Sequence, residues 1–124
     1  MDIDDLEIYR ESMRIGEAVW EEVVRWDYFA RDTLGKQLVR CVDSIAANIA
    51  EGYGRFHFAD NRNFCRYARG SLQESITFLT KAQNRNLIPR ETVTCLINDL
   101  ITLRKRLNAY IRSIGEQGNP QPAP

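Results

Sequence analysis

The sequence has a single histidine, His57, and only three cysteines, Cys41, Cys65 and Cys95, among 124 residues. The cysteines lie far apart in apolar surroundings and form no CxxC pair. A zinc site is therefore not expected, nor is a disulfide framework. Reduced, buried thiols of a cytosolic protein are expected instead. Net charge is missing as well, because 17 Lys and Arg balance 17 Asp and Glu. No bulk charge therefore draws the chain toward DNA or an acidic membrane. No apolar run approaches the roughly 20 residues of a membrane span. The acidic N-terminal segment has no apolar signal core, so a cytoplasmic location is expected. Nowhere does strand-like alternation compete with helical periodicity.

A hydrophobic share of 44% and a charged share of 27% suit one compact domain with a single core. The charge is unevenly placed. Up to Asp32 the acids are Asp2, Asp4, Asp5, Glu7, Glu11, Glu17, Glu21, Glu22, Asp27 and Asp32, against Arg10, Arg14, Arg25 and Arg31. The remainder carries the matching basic excess. Such halves can pair within one subunit or between subunits.

Four amphipathic segments succeed one another. The first helix is expected over Ile3 to Trp26, capped by Asp4 or Asp5, with Leu6, Tyr9, Met13, Trp20 and Val23 as its apolar stripe. Trp20 and Trp26 are expected in the core and at the bundle end. Asp27 to Thr33 has no clear period and reads as a loop, with Thr33 placed to cap the next helix. That second helix is expected over Leu34 to Glu51, with the stripe Leu38, Cys41, Val42, Ile45 and Ile49. Gly52 reads there as a left-handed stop. The third is expected over Phe58 to Asn84, with Phe64, Ala68, Leu72, Ser75, Leu79 and Ala82 on one face. Pro89 is placed to open the fourth. Its apolar residues Val93, Leu96, Leu100, Leu103, Leu107, Tyr110 and Ile114 keep heptad spacing, and Gly115 ends it. Short connections between four such helices predict an all-α, up-and-down antiparallel four-helix bundle over residues 1–115. The polar, proline-rich tail at 116–124 is expected to be disordered.

Two stretches carry residues that a plain core helix does not need. In "SIAANIAEGYGRF", Glu51 falls roughly 130° and Asn48 about 70° from the centre of the apolar stripe. Ser44 lies between them. A carboxylate there could act as a general acid or base, but no second group or cleft accompanies it. The other reading is a hydrogen-bonded polar belt that fixes helix register. "GYGR" lacks the lysine and hydroxyl residue of a phosphate-binding loop and comes after a helix rather than a strand. In "CRYARGSLQES" and just before it, Arg62, Arg66 and Arg69 share one helix face with Gly70. A helix-interior glycine costs about 1 kcal/mol relative to alanine, and close approach of another chain is one explanation. The other is an ordinary solvated basic face. Arg55, Phe56, His57 and Phe58 interleave basic and aromatic side chains, which suits single-stranded RNA or the plugging of a bundle end.

"QLVRCVDSIAANIAEGYGR" (Gln37 to Arg55) and "FCRYARGSLQES" (Phe64 to Ser75) closely resemble the four-helix-bundle proteins named after the 23S rRNA intervening sequence. Ser44, Ile45, Asn48, Ile49, Ala50, Glu51 and Gly52 match the first motif of that family. Ala68, Arg69, Gly70, Ser71, Leu72 and Glu74 match the second. The resemblance spans roughly Leu6 to Ile114. Ala46 stands where the family usually has proline, the first helix matches weakly, and the tail after Gly115 matches nothing in it.

The resemblance implies small cytosolic bacterial bundles that assemble as rings of five. Some are encoded inside insertions in large-subunit rRNA genes. It also implies similarity to accessory proteins of diversity-generating retroelements, which bind a reverse transcriptase and nucleic acid through a basic pentameric surface. No enzymatic activity, cofactor, metal or small-molecule substrate is expected. The expected structural polar motif is Ser44, Asn48, Glu51, Gly52, Arg69, Gly70, Ser71 and Glu74, with the two family motifs meeting in space. The expected contacts to RNA, an RNA-bound partner or a neighbouring subunit are Arg55, Arg62, Arg66 and Arg69. In the purely structural alternative, the arginine face pairs with Glu7, Glu11 and Glu21 of a neighbour.

Overall fold

The computed structural model describes residues 2–115, whose regular elements are all helical. The proline-rich tail falls outside the described residues. The chain opens with a 3-10 turn, Ile3–Asp5, held by the Asp2 backbone N–H donating to Asp5 Oδ2 at 3.1 Å. Helix α1 spans Glu7–Val23, the short α2 spans Tyr28–Ala30, α3 spans Lys36–Tyr53, α4 spans Phe58–Asn84 and α5 spans Arg90–Ser113. The four long helices run up and down as an antiparallel bundle in the order α1, α3, α4, α5, with each packed on the next and α5 closing back onto α1. Among the described residues no helix is long and apolar enough to cross a membrane.

The core arises from the 3–4 spacing on each helix. Ile15, Val19, Leu38, Val42, Ile45, Ile49, Leu72, Leu79, Leu100 and Leu107 are completely buried. Burying each such side chain contributes about 1.5–3 kcal/mol of hydrophobic transfer. The expected stripe of α3 is the observed one. On α4, Cys65 takes the inward place expected of Phe64, and on α5, Ile111 takes that expected of Tyr110.

Helix α1 departs from expectation. Its helical run does not begin at Ile3. Leu6 adopts an extended conformation, φ −84° and ψ 112°, and neither Asp4 nor Asp5 caps α1. Leu6 turns its side chain into the core, which the break in the helix permits. The buried face is Ile8, Ser12, Ile15, Gly16, Val19 and Val23. Met13 and Trp20, expected inside, are 45% and 50% exposed. Two apolar stripes share this helix, and the smaller residues line the core. Trp26 is buried, as expected of bundle-end packing.

The expected loop from Asp27 to Thr33 is helical. Asp27 Oδ1 accepts the Ala30 N–H at 3.0 Å and starts α2. A π-helical turn, Arg31–Gly35, then feeds directly into α3. Thr33 caps nothing; its hydroxyl donates to the Phe29 carbonyl at 2.7 Å. The turn's extra residue breaks the 3.6-residue period, which hides the helix from periodicity.

The turn from α4 to α5 uses Asn86 at φ 58°. Leu87 N–H reaches the Ala82 carbonyl at 2.9 Å, the six-to-one bond of a Schellman ending. Pro89 then caps α5 as expected, and Gly115, at φ 78°, ends it. Ion pairs at the α1–α5 seam join Arg14 to Asp99 at 3.1 Å and Arg106 to Glu7. The Arg14 hydrogen bond to Glu11 lowers the Glu11 pKa.

Candidate functional site

The two family-like motifs meet where α3 packs on α4. Ser44 donates to Ser71 Oγ at 2.6 Å, with the Cys41 carbonyl 2.8 Å away as its alternative acceptor. Ser75, fully buried, gives its hydroxyl proton to the Ser71 carbonyl at 2.8 Å. The Cys41 thiol lies 3.2 Å from Ser75 Oγ and 3.4 Å from the Leu38 carbonyl, either of which can accept its proton. These small side chains let the helices approach while every buried hydroxyl finds a partner. Burial pushes both the Cys41 and Cys65 thiols up to about 11, so both stay protonated at neutral pH. Cys95 departs from the expectation of burial and is exposed, because it lies on the outer face of α5.

Gly52 has a different role from the one expected. The helix continues through it to Tyr53, and the capping residue, Gly54, keeps right-handed values, φ −81° and ψ −3°. A Cβ at Gly52 would lie 2.7 Å from Asn61 Oδ1 and 3.0 Å from both the Asn61 carbonyl oxygen and Phe64 Cβ. The glycine is required by the close approach of α4, not by backbone handedness. Asn61 is buried at this crossing, where its amide nitrogen lies 3.4 Å from the Tyr110 hydroxyl.

The remaining motif residues do not converge on the Ser44–Ser71 contact. Asn48 donates to the Ser44 carbonyl of its own helix at 2.9 Å. Glu51 is exposed and pairs with Arg55 one turn later at 2.8 Å. Arg69 points to the opposite neighbour, donating to Asn108 Oδ1 of α5 at 2.8 Å. Arg69 and Ser71 are two residues apart, about 200° around a helix, so one faces α5 and the other α3. Glu74 is exposed beside a groove that it shares with Arg40, Gln37 and Ser44. Gly70 is exposed, and among the described residues a Cβ there would meet nothing within 4 Å.

The four arginines also divide. Arg62 donates to the Ile114 carbonyl at 3.0 Å and ties the end of α5 to α4. Arg66 is exposed and donates only to its neighbour Asn63, at 3.1 Å. The Arg55 guanidinium sits 4.8 Å above the Phe64 ring, a cation–π distance. Phe64 packs edge-on against Tyr67 at 5.6 Å, and Phe56 against His57 at 5.1 Å. Phe56 and Tyr67 are 55% and 60% exposed.

Among the described residues no three His, Cys, Asp or Glu side chains gather as a metal site would require. The residues that sequence reasoning missed lie on the opposite pairing, α1 with α3. There a groove of about 320 Å³ is lined by Met13, Gly16, Glu17, Asp43, Ala47 and Ala50, among others. Its sequence signal was Gly16 inside α1 combined with the alanine run of α3. Desolvation, and then the nearby Glu17 carboxylate, raises the Asp43 pKa.

These features define an antiparallel four-helix bundle whose interior polar groups join helices and whose outer faces display charge and aromatic rings. A family model of the 23S rRNA-intervening sequence proteins matches residues 4–109, and the chain belongs to that family. Its fold is similar to that of a Bacteroides thetaiotaomicron protein of unknown function from the S23 ribosomal protein family, known from a crystal structure. The two share 22% identity and superpose with a TM-score of 0.76 over 86% of this chain and 99% of that one. No curated protein matches the sequence.

Proposed function

We propose that this chain is a non-enzymatic scaffold, a bundle that self-associates as a ring of five and contacts RNA or an RNA-bound protein. The observation that carries the RNA contact is the end of the bundle at the α3–α4 turn. There Arg55 lies over Phe64, and exposed Phe56 stands beside His57. Exposed rings offer stacking platforms and the guanidinium offers phosphate contact. Zero net charge restricts any such affinity to this local patch. The non-enzymatic reading is supported by Glu51, whose carboxylate stays on the open surface in an ion pair with Arg55. A cytoplasmic setting suits three free cysteines.

A second reading keeps the homo-oligomer, gives it a protein partner and removes the nucleic acid. The exposed apolar residues of α1, Met13, Trp20 and Val24, favour it. Binding of single-stranded fragments of 23S rRNA across a salt series separates the two. On the first reading affinity falls steeply with salt. Phe56→Ala together with Arg55→Ala then weakens it about tenfold or more, the scale of one lost stacking contact. Absent binding, or binding indifferent to salt and to these substitutions, refutes the RNA contact and leaves the second reading.

A further inference from the structure

We propose that the α1–α3 groove receives the outer face of α4, centred on Gly70, from a second copy of this chain. The inference rests on the self-association proposed above and names the two surfaces that would make it. One is apolar and acidic. Met13 stands exposed on the α1 side, beside Gly16 and the alanines of α3, and Trp20 is exposed farther along the same helix. Small residues, Gly16, Ala46, Ala47 and Ala50, line the trough beside Met13, an exposed apolar surface with no partner in the described residues. Glu17 and Asp43 rim it, and among the described residues neither enters an ion pair. The two carboxylates repel one another, which contributes to the raised Asp43 pKa, and no cation offsets them. Of the acids foreseen for such a contact, Glu7, Glu11 and Glu21, the first two are already taken by Arg106 and Arg14.

The other surface is complementary. Gly70 costs its helix about 1 kcal/mol relative to alanine, and among the described residues nothing lies within 4 Å of where its Cβ would stand. Arg66 and Tyr67 flank it, both exposed, and Arg66 has no carboxylate partner among the described residues. A bare stretch of helix backbone between a ring and a guanidinium fits a trough with an apolar wall and an acidic rim. Trough and face are different surfaces, so the contact is head-to-tail. Such a contact closes into a ring or propagates as a filament.

Sedimentation velocity on the full chain tests this, with circular dichroism as the check on folding. Met13→Glu places a charge in the wall of the trough, and Gly70→Leu fills the complementary face without harming the helix. Each variant should keep wild-type helicity and weaken self-association at least tenfold, about 1.4 kcal/mol. An equimolar mixture should form a heterodimer and nothing larger, because each chain retains one working surface. Should Met13→Glu lose helicity, Ala47→Glu repeats the test from the α3 side of the trough. A monomeric wild type overturns the self-association reading itself. An oligomeric wild type whose size survives either substitution, or a mixture without heterodimer, overturns this inference alone.

Discussion

Adding one methyl group at Gly52 tests why α3 and α4 lie so close. In a free helix Gly→Ala is favourable by about 1 kcal/mol. Here the new Cβ would stand 2.7 Å from Asn61 Oδ1 and 3.0 Å from the Asn61 carbonyl oxygen and Phe64 Cβ. Only the first of these belongs to the far end of a side chain; the other two move only if the helices separate. Overpacking of this kind costs up to about 3 kcal/mol. The expected net loss for Gly52→Ala is therefore about 2 kcal/mol. Gly54→Ala is the internal control. Its Cβ would find ordinary contacts at 3.7 and 3.8 Å, and its backbone is right-handed. That substitution should be neutral or stabilising by up to about 1 kcal/mol. Urea unfolding at matched protein concentration, monitored by circular dichroism, reads both as shifts in midpoint at constant slope. If Gly52→Ala were as stable as the parent, the close-approach argument would be wrong. If Gly54→Ala were the more damaging, handedness rather than proximity would explain these glycines.

The interior polar and thiol groups lead to two further outcomes. Ser71→Ala removes the acceptor 2.6 Å from Ser44 and should destabilise by about 1 kcal/mol; an unchanged unfolding midpoint would show that the Cys41 carbonyl alone satisfies Ser44 and that the contact contributes nothing to stability. Under native conditions Cys95 should react with a thiol reagent while Cys41 and Cys65 do not. Their folded values of about 11 exceed the ordinary 9.0, so the protonated thiol is what the fold favours. Their contribution to stability is full below pH 9 and is lost as pH rises toward 11. Replacing both with alanine should flatten that alkaline limb, and a limb unaltered in the double variant would refute the assignment.

Helices α3, α4 and α5 were legible because each carries one dominant apolar stripe, although α3 runs through the expected stop at Gly52 to end at Tyr53. The limits of α4, Phe58–Asn84, coincide with the expectation. Helix α1 carries two stripes, and apolar residues that rival or exceed its core residues in size point outward: Met13 and Trp20 lie on the surface while Ile15 and Val19 are buried. Ser12 on the buried face, satisfied by the Tyr9 carbonyl at 2.8 Å, further disguised it. The motif contact was legible at the level of helices but not of side chains. Ser71 and Arg69 belong to one short motif, yet their angular separation sends them to different neighbours. The reason for Gly52 was invisible because it belongs to Asn61 and Phe64, which sequence alone does not place beside it.

The π-helical turn at Arg31–Gly35 has a consequence for how this bundle can change length. Its Lys36 N–H bonds back to the Arg31 carbonyl, one residue farther than an α-helix requires. The turn thus holds one residue that the α-helical ladder does not need, upstream of a helix whose packing is already set. Deleting a residue there would restore α-helical winding and leave Leu38, Val42 and Ile45 in register. It would swing the exposed Tyr28 and Phe29 by about 100° around the axis. The segment is a rotary joint for the end of the molecule. A single-codon deletion there redirects the two most exposed aromatic rings among the described residues, and the same rotation carries Ala30 and Trp26 away from the core they now pack against.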